Sequence, residues 1–329
     1  MENIRISIGT AAILGFTKLK MFATPKVAYL LTYYPGKCQA NCQFCAQARE
    51  SRSSNDVIAR AVYPVYPLSD VISRIKSKYE NGTLKRICLQ TINYLGMHKD
   101  VINLIHLIKE FSNIPISVSR HPATKEELRQ LANVRVDRIV IPLDAASERV
   151  FKKIKGRDVG NSYQWENYFK VFNYAKYIFN GKVGTHLIIG LGETEREAVE
   201  MIQRLNDLKI VCALFAFTPI KGTPMENHPK PSVGSYRRIQ LAQYLIAKGL
   251  THVENMQFNK NDEISSFGVN ERDIKAIVEV GTPFIPCGCP DCNRPFATEA
   301  PKGVFYNFPW MPTQTEVEEI KKELVYYAC

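Results

Sequence analysis

The sequence holds no run of about 18 apolar residues, the minimum for a membrane-spanning helix, so no transmembrane segment is expected. It has no basic tail, no lysine/arginine block and no aromatic-rich RNA-binding motif, so nucleic acid stays a minor option. Low-complexity tracts are missing, as are internal repeats beyond one strand–helix alternation. The opening stretch MENIRISIGTAAILGFTKLKMFATP has only Ile8–Phe16 as an apolar segment, with no small-residue cleavage site after it. A secretory leader is therefore not expected, and the reading is a soluble, cytoplasmic protein.

Cysteine, by contrast, is plentiful at nine residues. In a reducing compartment clustered thiols point to metal or redox chemistry instead of disulfides. The 329 residues, 45% hydrophobic, suffice for one barrel-sized domain or two smaller ones. A net charge of +11 and a pI near 9.1 favour an acidic partner.

Short β-branched or aromatic runs predict strands at Val27–Tyr34, Lys85–Thr91, Pro115–Ser119, Arg138–Leu143, Lys182–Ile189 and Ile210–Thr218. His252–Phe258 and the weaker Pro283–Pro286 bring the count to eight. Helical spacing between them predicts helices at Leu68–Tyr79, Lys99–Phe111, Thr124–Ala132, Ser147–Ile154, Tyr163–Phe179, Glu195–Leu208, Ser235–Lys248 and Glu271–Val280. Ser69–Asp70 and Ser232 read as helix starts, Gly249 and Gly281 as stops. Alternating units imply parallel strands with right-handed crossovers. Eight of them predict an α/β fold of the (β/α)8 TIM-barrel type, with a doubly wound sheet as the alternative. Residues 1–26 read as a lead-in, 27–286 as the barrel, and 287–329 as a Cys-rich extension ending in a helix at Gln314–Val325.

Directly after the first predicted strand, Cys38, Cys42 and Cys45 form C-x3-C-x2-C. In a barrel such loops lie at the catalytic C-terminal mouth. Three thiolates in a compact loop can hold three corners of a [4Fe-4S] cluster, leaving one iron open. Structural zinc is the competing reading, but no fourth ligand lies near; His98, the nearest histidine, is more than fifty residues on.

With Phe44 as the aromatic, C-x3-C-x-φ-C resembles the signature of radical S-adenosylmethionine (SAM) enzymes, and CQANCQFCAQARES is similar to biotin synthase and its relatives. The resemblance runs from about residue 27 to 285. It implies that the open iron chelates SAM, whose one-electron cleavage gives a 5′-deoxyadenosyl radical that takes hydrogen from an unactivated carbon. It also implies SAM contacts at Asp144 toward the ribose and along Ile188–Glu195 (IIGLGETE), where Ile188, Gly190 and Glu193 stand. Pro142 occupies the place of a family asparagine, and His186 that of a glycine. The family's Gly-Gly-Glu segment is replaced by LQTINY, where Gln90 or Thr91 would take the SAM amino group; Arg157 or Arg120 would pair its carboxylate. Asp144 also has a plain reading as the cap of the next helix.

PCGCPDCNRP places Cys287, Cys289 and Cys292 after the eighth predicted strand, which barrel closure would set beside the first cluster at the same mouth. A second, auxiliary [4Fe-4S] cluster is expected on them, with zinc completed by Cys329, Cys88 or a loop side chain as the alternative. Cys88 fits one of biotin synthase's donor cysteines, while the other two positions, near Ser119 and His186–Ile189, are not cysteine. Cys88 and Cys212 also read simply as small buried hydrophobes. A barrel of this kind with a new triad is most similar to the archaeal two-protein lipoyl synthase, to the partner adding the first sulfur to the octanoyl chain. That resemblance implies an octanoylated carrier protein or peptide, a second sulfur-inserting protein and a ferredoxin-type reductant. Other radical SAM reactions, or a non-catalytic iron–sulfur or zinc protein, are the alternatives.

Overall fold

The computed structural model describes residues 1–300 and 303–325; Cys329 lies outside them. A short N-terminal strand, β1 (Asn3–Ile6), and helix α1 (Ile8–Ile13) precede β2 (Val27–Thr32). A small hairpin of β3 (Val57–Ile58) and β4 (Ala61–Val62) leads to β5 (Val65–Pro67) and α2 (Leu68–Glu80). The repeating units are then β6 (Arg86–Gln90), α3 (Met97–Phe111), β7 (Ile116–Ser119), α4 (Lys125–Asn133), β8 (Arg138–Val140), α5 (Glu148–Ile154), α6 (Trp165–Ile178), β9 (Val183–Ile189), α7 (Glu195–Asp207), β10 (Val211–Ala216) and α8 (Val233–Ala247). A second hairpin, β11 (Gln257–Phe258) with β12 (Ile264–Ser266), precedes α9 (Glu271–Val280) and α10 (Gln314–Val325).

The main sheet runs β10-β9-β8-β7-β6-β2-β1-β5. Six neighbours, β2 and β6 through β10, are parallel, and β1 and β5 add antiparallel pairings at one edge. All six residues of β2 are buried, as expected where helices cover the outside of a parallel sheet and side chains fill the inside. Local signals set the helix ends: Thr124 with Glu127 and Thr194 with Glu197 form capping boxes, Ser232 caps α8, and Gly281 ends α9 in the left-handed conformation. Helix α2 instead starts at Leu68, ahead of the expected Ser69–Asp70 start, with no side-chain cap.

Eight strands do not close into a (β/α)8 barrel. The expected seventh, at His252–Phe258, is a 3-10 turn at Val253–Asn255 followed by two residues of hairpin. Its Glu254 and Asn255 are exposed, so the apolar run of an inner strand is broken. The expected eighth is another 3-10 turn, Thr282–Phe284, because Pro283 and Pro286 have no N–H to give a ladder. The predicted lead-in belongs to the sheet: Ile4 and Ile6 are fully buried in β1, paired with β2.

Residues of all six parallel strands (Tyr29, Cys88, Ser119, Val140, His186 and Ala213) line a common cavity of about 390 Å³, so the sheet curves round it. The segment 287–299 crosses the open side as a strap. At one end Cys287 Sγ donates to Cys212 O on β10, 3.3 Å away. At the other, Asn293 bonds Thr24 O and Lys26 N beside β2, and Arg60 donates to Glu299 O. Outside it, α8, α9 and α10 share a smaller core of Leu241, Leu245, Val278, Phe284, Phe308 and Ile320.

Candidate functional site

The first cysteine loop leaves the C-terminal end of β2. Its backbone is tied to the following turns: Gln39 N bonds Asn93 O, Gln43 N bonds Ile154 O, and Asn41 N bonds Asn161 Oδ1 at 2.7 Å. Lys37 Nζ holds its far side, donating to Ala46 O and Ser53 O. Cys38 and Cys42 are buried and Cys45 half-buried, with Phe44 packed against the core. Cys38 Sγ accepts from Ala40 N (3.4 Å) and Asn93 N (3.2 Å). Burial pushes all three thiols up, Cys45 to about 12. Such thiols ionise when a cationic centre takes them as ligands, and backbone donors already face one sulfur. The donor set therefore suits an iron–sulfur centre.

Asp144 lies four residues beyond β8 with φ +67, in the left-handed region. It forms a bridge to β9, donating from N to His186 O and accepting from Ile188 N. Its Oδ2 is 2.5 Å from Nζ of Lys155, whose side chain is fully buried and also bonds Pro142 O. The helix cap is supplied by Ser147, so Asp144 is neither a cap nor a free carboxylate. Lys155 had no distinguishing pattern in the sequence. It stands close enough to draw the Cys42 thiol down against its burial.

After β9, Gly190 takes φ +103, and a Cβ there would lie 2.7 Å from Pro231 Cδ, so only glycine fits. Glu193 folds back to accept from Gly190 N and Leu191 N, and burial raises its carboxyl. Ile188 is half-buried on the same strand end. Four expected SAM contacts have other partners. Gln90 Nε2 donates to Tyr63 OH and Thr91 Oγ1 to Ser119 O. Arg157 is exposed beside Asp158, while Arg120 is buried between His98 and Glu127.

The second triad does not share the mouth of the first. Cys287 bonds Cys212, the second residue of β10, and Gln243 Oε1; Cys292 Sγ lies 3.5 Å from the hydroxyl of Tyr29, the third residue of β2. These contacts fall in the N-terminal halves of strands whose full length is about 20 Å, whereas the first triad follows their C-terminal ends. Cys287, Cys289, Cys292 and Cys88 all line the interior cavity, and desolvation raises the Cys88 thiol, with Cys289 and Cys292 adding to it. Arg294 lies over the Phe215 ring at 4.0 Å, and its buried Nη1 has no hydrogen-bond partner among the described residues. His186, also on the cavity wall, is lowered to about 4 by burial, with Arg294 and Lys155 adding and Asp144 opposing. Among the described residues no three His, Cys, Asp or Glu side chains close on a bound-ion geometry. Also among them, no helix is long and apolar enough to cross a membrane.

A sequence profile described as the Radical SAM superfamily matches residues 33–205, which include the first triad and the Gly190 turn. An uncharacterised protein of Methanocaldococcus jannaschii is 29% identical over 59% of this chain and 50% of its own length. A biotin synthase of Clostridium acetobutylicum is 26% identical over 58% of this chain and 56% of its own. The match thus spans about half the length of these curated relatives. The FeFe-hydrogenase maturase of Carboxydothermus hydrogenoformans shares the fold, with a TM-score of 0.53 at 16% identity over 68% of this chain and 52% of that one.

Proposed function

The chain belongs to the radical SAM superfamily, of biotin synthase-like type, and from that premise we propose that it inserts sulfur into an unactivated C–H bond of a protein-bound octanoyl group. Membership implies a [4Fe-4S] cluster and SAM, and Cys38, Cys42 and Cys45 would hold the cluster. When bound, the two supply one-electron chemistry that removes hydrogen from a carbon no base can deprotonate. Asp144, fixed by Lys155, and the turn Ile188–Glu193, braced by its own carboxylate, would seat SAM at the end of β9. Cys287, Cys289 and Cys292 would hold an auxiliary iron–sulfur cluster, which would supply the sulfur.

The observation carrying this reading is that the second triad lines a mostly apolar interior cavity beside Arg294, whose buried Nη1 has no hydrogen-bond partner among the described residues. An iron–sulfur group on thiolates is anionic and accepts such donors. An alkyl chain fits the apolar wall, and the cavity shields a reactive carbon from water. The net charge of +11 would steer an acidic carrier; a ferredoxin-type reductant and a second sulfur-inserting protein complete the scheme.

Anaerobic reconstitution with iron and sulfide counting, followed by product analysis, tests it. We expect sulfur in an octanoyl-lysine peptide and none in dethiobiotin. Cys289→Ala should keep SAM cleavage and lose the thiolated product; equal loss of both makes the second triad structural. Biotin formation is the second reading, favoured by the biotin synthase relative, and the opposite product pattern would establish it.

A further inference from the structure

We propose that the acyl chain enters the interior through an apolar port beside the strap, on the N-terminal side of the strands, and that its acidic carrier docks on the basic rim of that port. The identity of the occupant rests on the sulfur-insertion reading; the route does not.

The cavity wall includes the first residues of four parallel strands, Val27, Arg86, Arg138 and Val211, so it reaches the end opposite the first cysteine loop. None of Cys38, Cys42 and Cys45 lines it. Its outer part is formed by Leu19, Met21, Phe22, Ile58, Val62 and Phe296. Three of these apolar side chains are open to solvent: Leu19 is 46% exposed, Phe22 60% and Val62 45%. Large apolar groups gathered at the edge of a concave site mark binding in preference to chance exposure. Along the strands Cys88, the third residue of β6, with Cys289 and Cys292 close to it, comes before Gln90 and Ser119, the last residues of β6 and β7.

That order has a chemical consequence. An unbranched chain would enter methyl end first, with its polar attachment left outside. The distal carbons, not those beside the carbonyl, would then pass the thiols. The rim carries the matching charge. Segments 18–26, 58–62 and 287–297 expose Lys18, Lys20, Lys26 and Arg60, against Asp291 as their exposed acid. A carrier presenting an acylated lysine among acidic residues is complementary to that surface.

The test uses the reconstituted full-length protein and an acidic octanoyl-lysine peptide bearing a diazirine residue next to the acylated lysine. Photolabelling mapped by mass spectrometry should mark residues within 18–26 and 58–62. Labels on the loops after the C-terminal strand ends, such as 93–96 or 157–163, overturn the route. Val62→Gln and Phe22→Ser, both at exposed sites and neither changing the charge of the rim, should each weaken peptide binding several-fold. Unchanged binding in both variants refutes the port. Lys18→Glu with Lys20→Glu should weaken the peptide at least fivefold at low salt and leave neutral octanamide unaffected; equal behaviour of the two ligands refutes the carrier. Labelling at the port with no sulfur incorporated would refute the sulfur-insertion reading and leave the route standing. Incorporation with labels elsewhere would do the reverse.

Discussion

Lys155→Met isolates the electrostatic support of the first site. Methionine keeps most of the side-chain volume, so the loss is of charge, not of packing. In the wild-type chain Nζ is fully buried, 2.5 Å from Asp144 Oδ2 and bonded to Pro142 O. Removing one partner of such a pair leaves a desolvated carboxylate unmatched, which costs about 3–5 kcal/mol. Against a total stability of about 5–15 kcal/mol that is a large share. Asp144→Asn on the same chain removes the orphaned charge, so the double variant should recover about 2 kcal/mol or more. Urea unfolding of the four proteins in the cycle gives the coupling directly. A single variant within about 0.5 kcal/mol of wild type, or a double variant no better than the single, refutes the reasoning. Because Lys155 also draws the Cys42 thiol down against burial, Lys155→Met should reduce iron bound at the first triad even in the folded fraction.

Gly190→Ala meets Pro231 Cδ at 2.7 Å and must hold φ +103, so it should cost about 1–3 kcal/mol, read as a lower melting temperature; an unchanged melting point refutes the tightness of that turn. His186, held near 4 when folded against 6.5 unfolded, is neutral where the unfolded chain is protonated. Its contribution is intact above pH 6.5 and is lost as pH falls toward 4, by up to about 3 kcal/mol. His186→Gln should flatten that part of the stability–pH curve, and identical curves would show that the imidazole titrates alike in the folded and unfolded chain.

The parallel core was legible because its strands are buried on both sides and therefore read as unbroken apolar runs: VAYLLT and VCALFA lie close to where they were expected. The cysteine spacing and the glycine turn at Gly190 were legible for a similar reason, since chemistry or backbone geometry ties each to a local pattern. What was missed depends on distance in sequence. Lys155 reaches Asp144 from the far end of α5, where three lysines within four residues look alike. The bonds of Gln90 to Tyr63 and of Arg120 to His98 and Glu127 join different elements, and no local pattern announces them. Counting strands failed where prolines and polar residues interrupt the pattern.

The failure at Pro283–Pro286 bears directly on the site. Two further strands would have closed the sheet by ladder hydrogen bonds and left its interior to packed side chains, as in a closed eight-stranded barrel. Prolines at 283, 286 and 290 forbid that ladder and leave a strap in its place. Left-handed backbone at Gly288, Asp291, Arg294 and Phe296 then turns the strap repeatedly within nine residues. Three of those four are not glycine, and such conformations persist only where surrounding contacts hold them. Here Tyr29 OH accepts from Arg294 N, Arg294 stacks on Phe215, and Phe296 meets Phe22. The features that make the segment useless as a strand are therefore those that bring Cys287, Cys289 and Cys292 to the cavity wall, on the half of the strands away from the first triad.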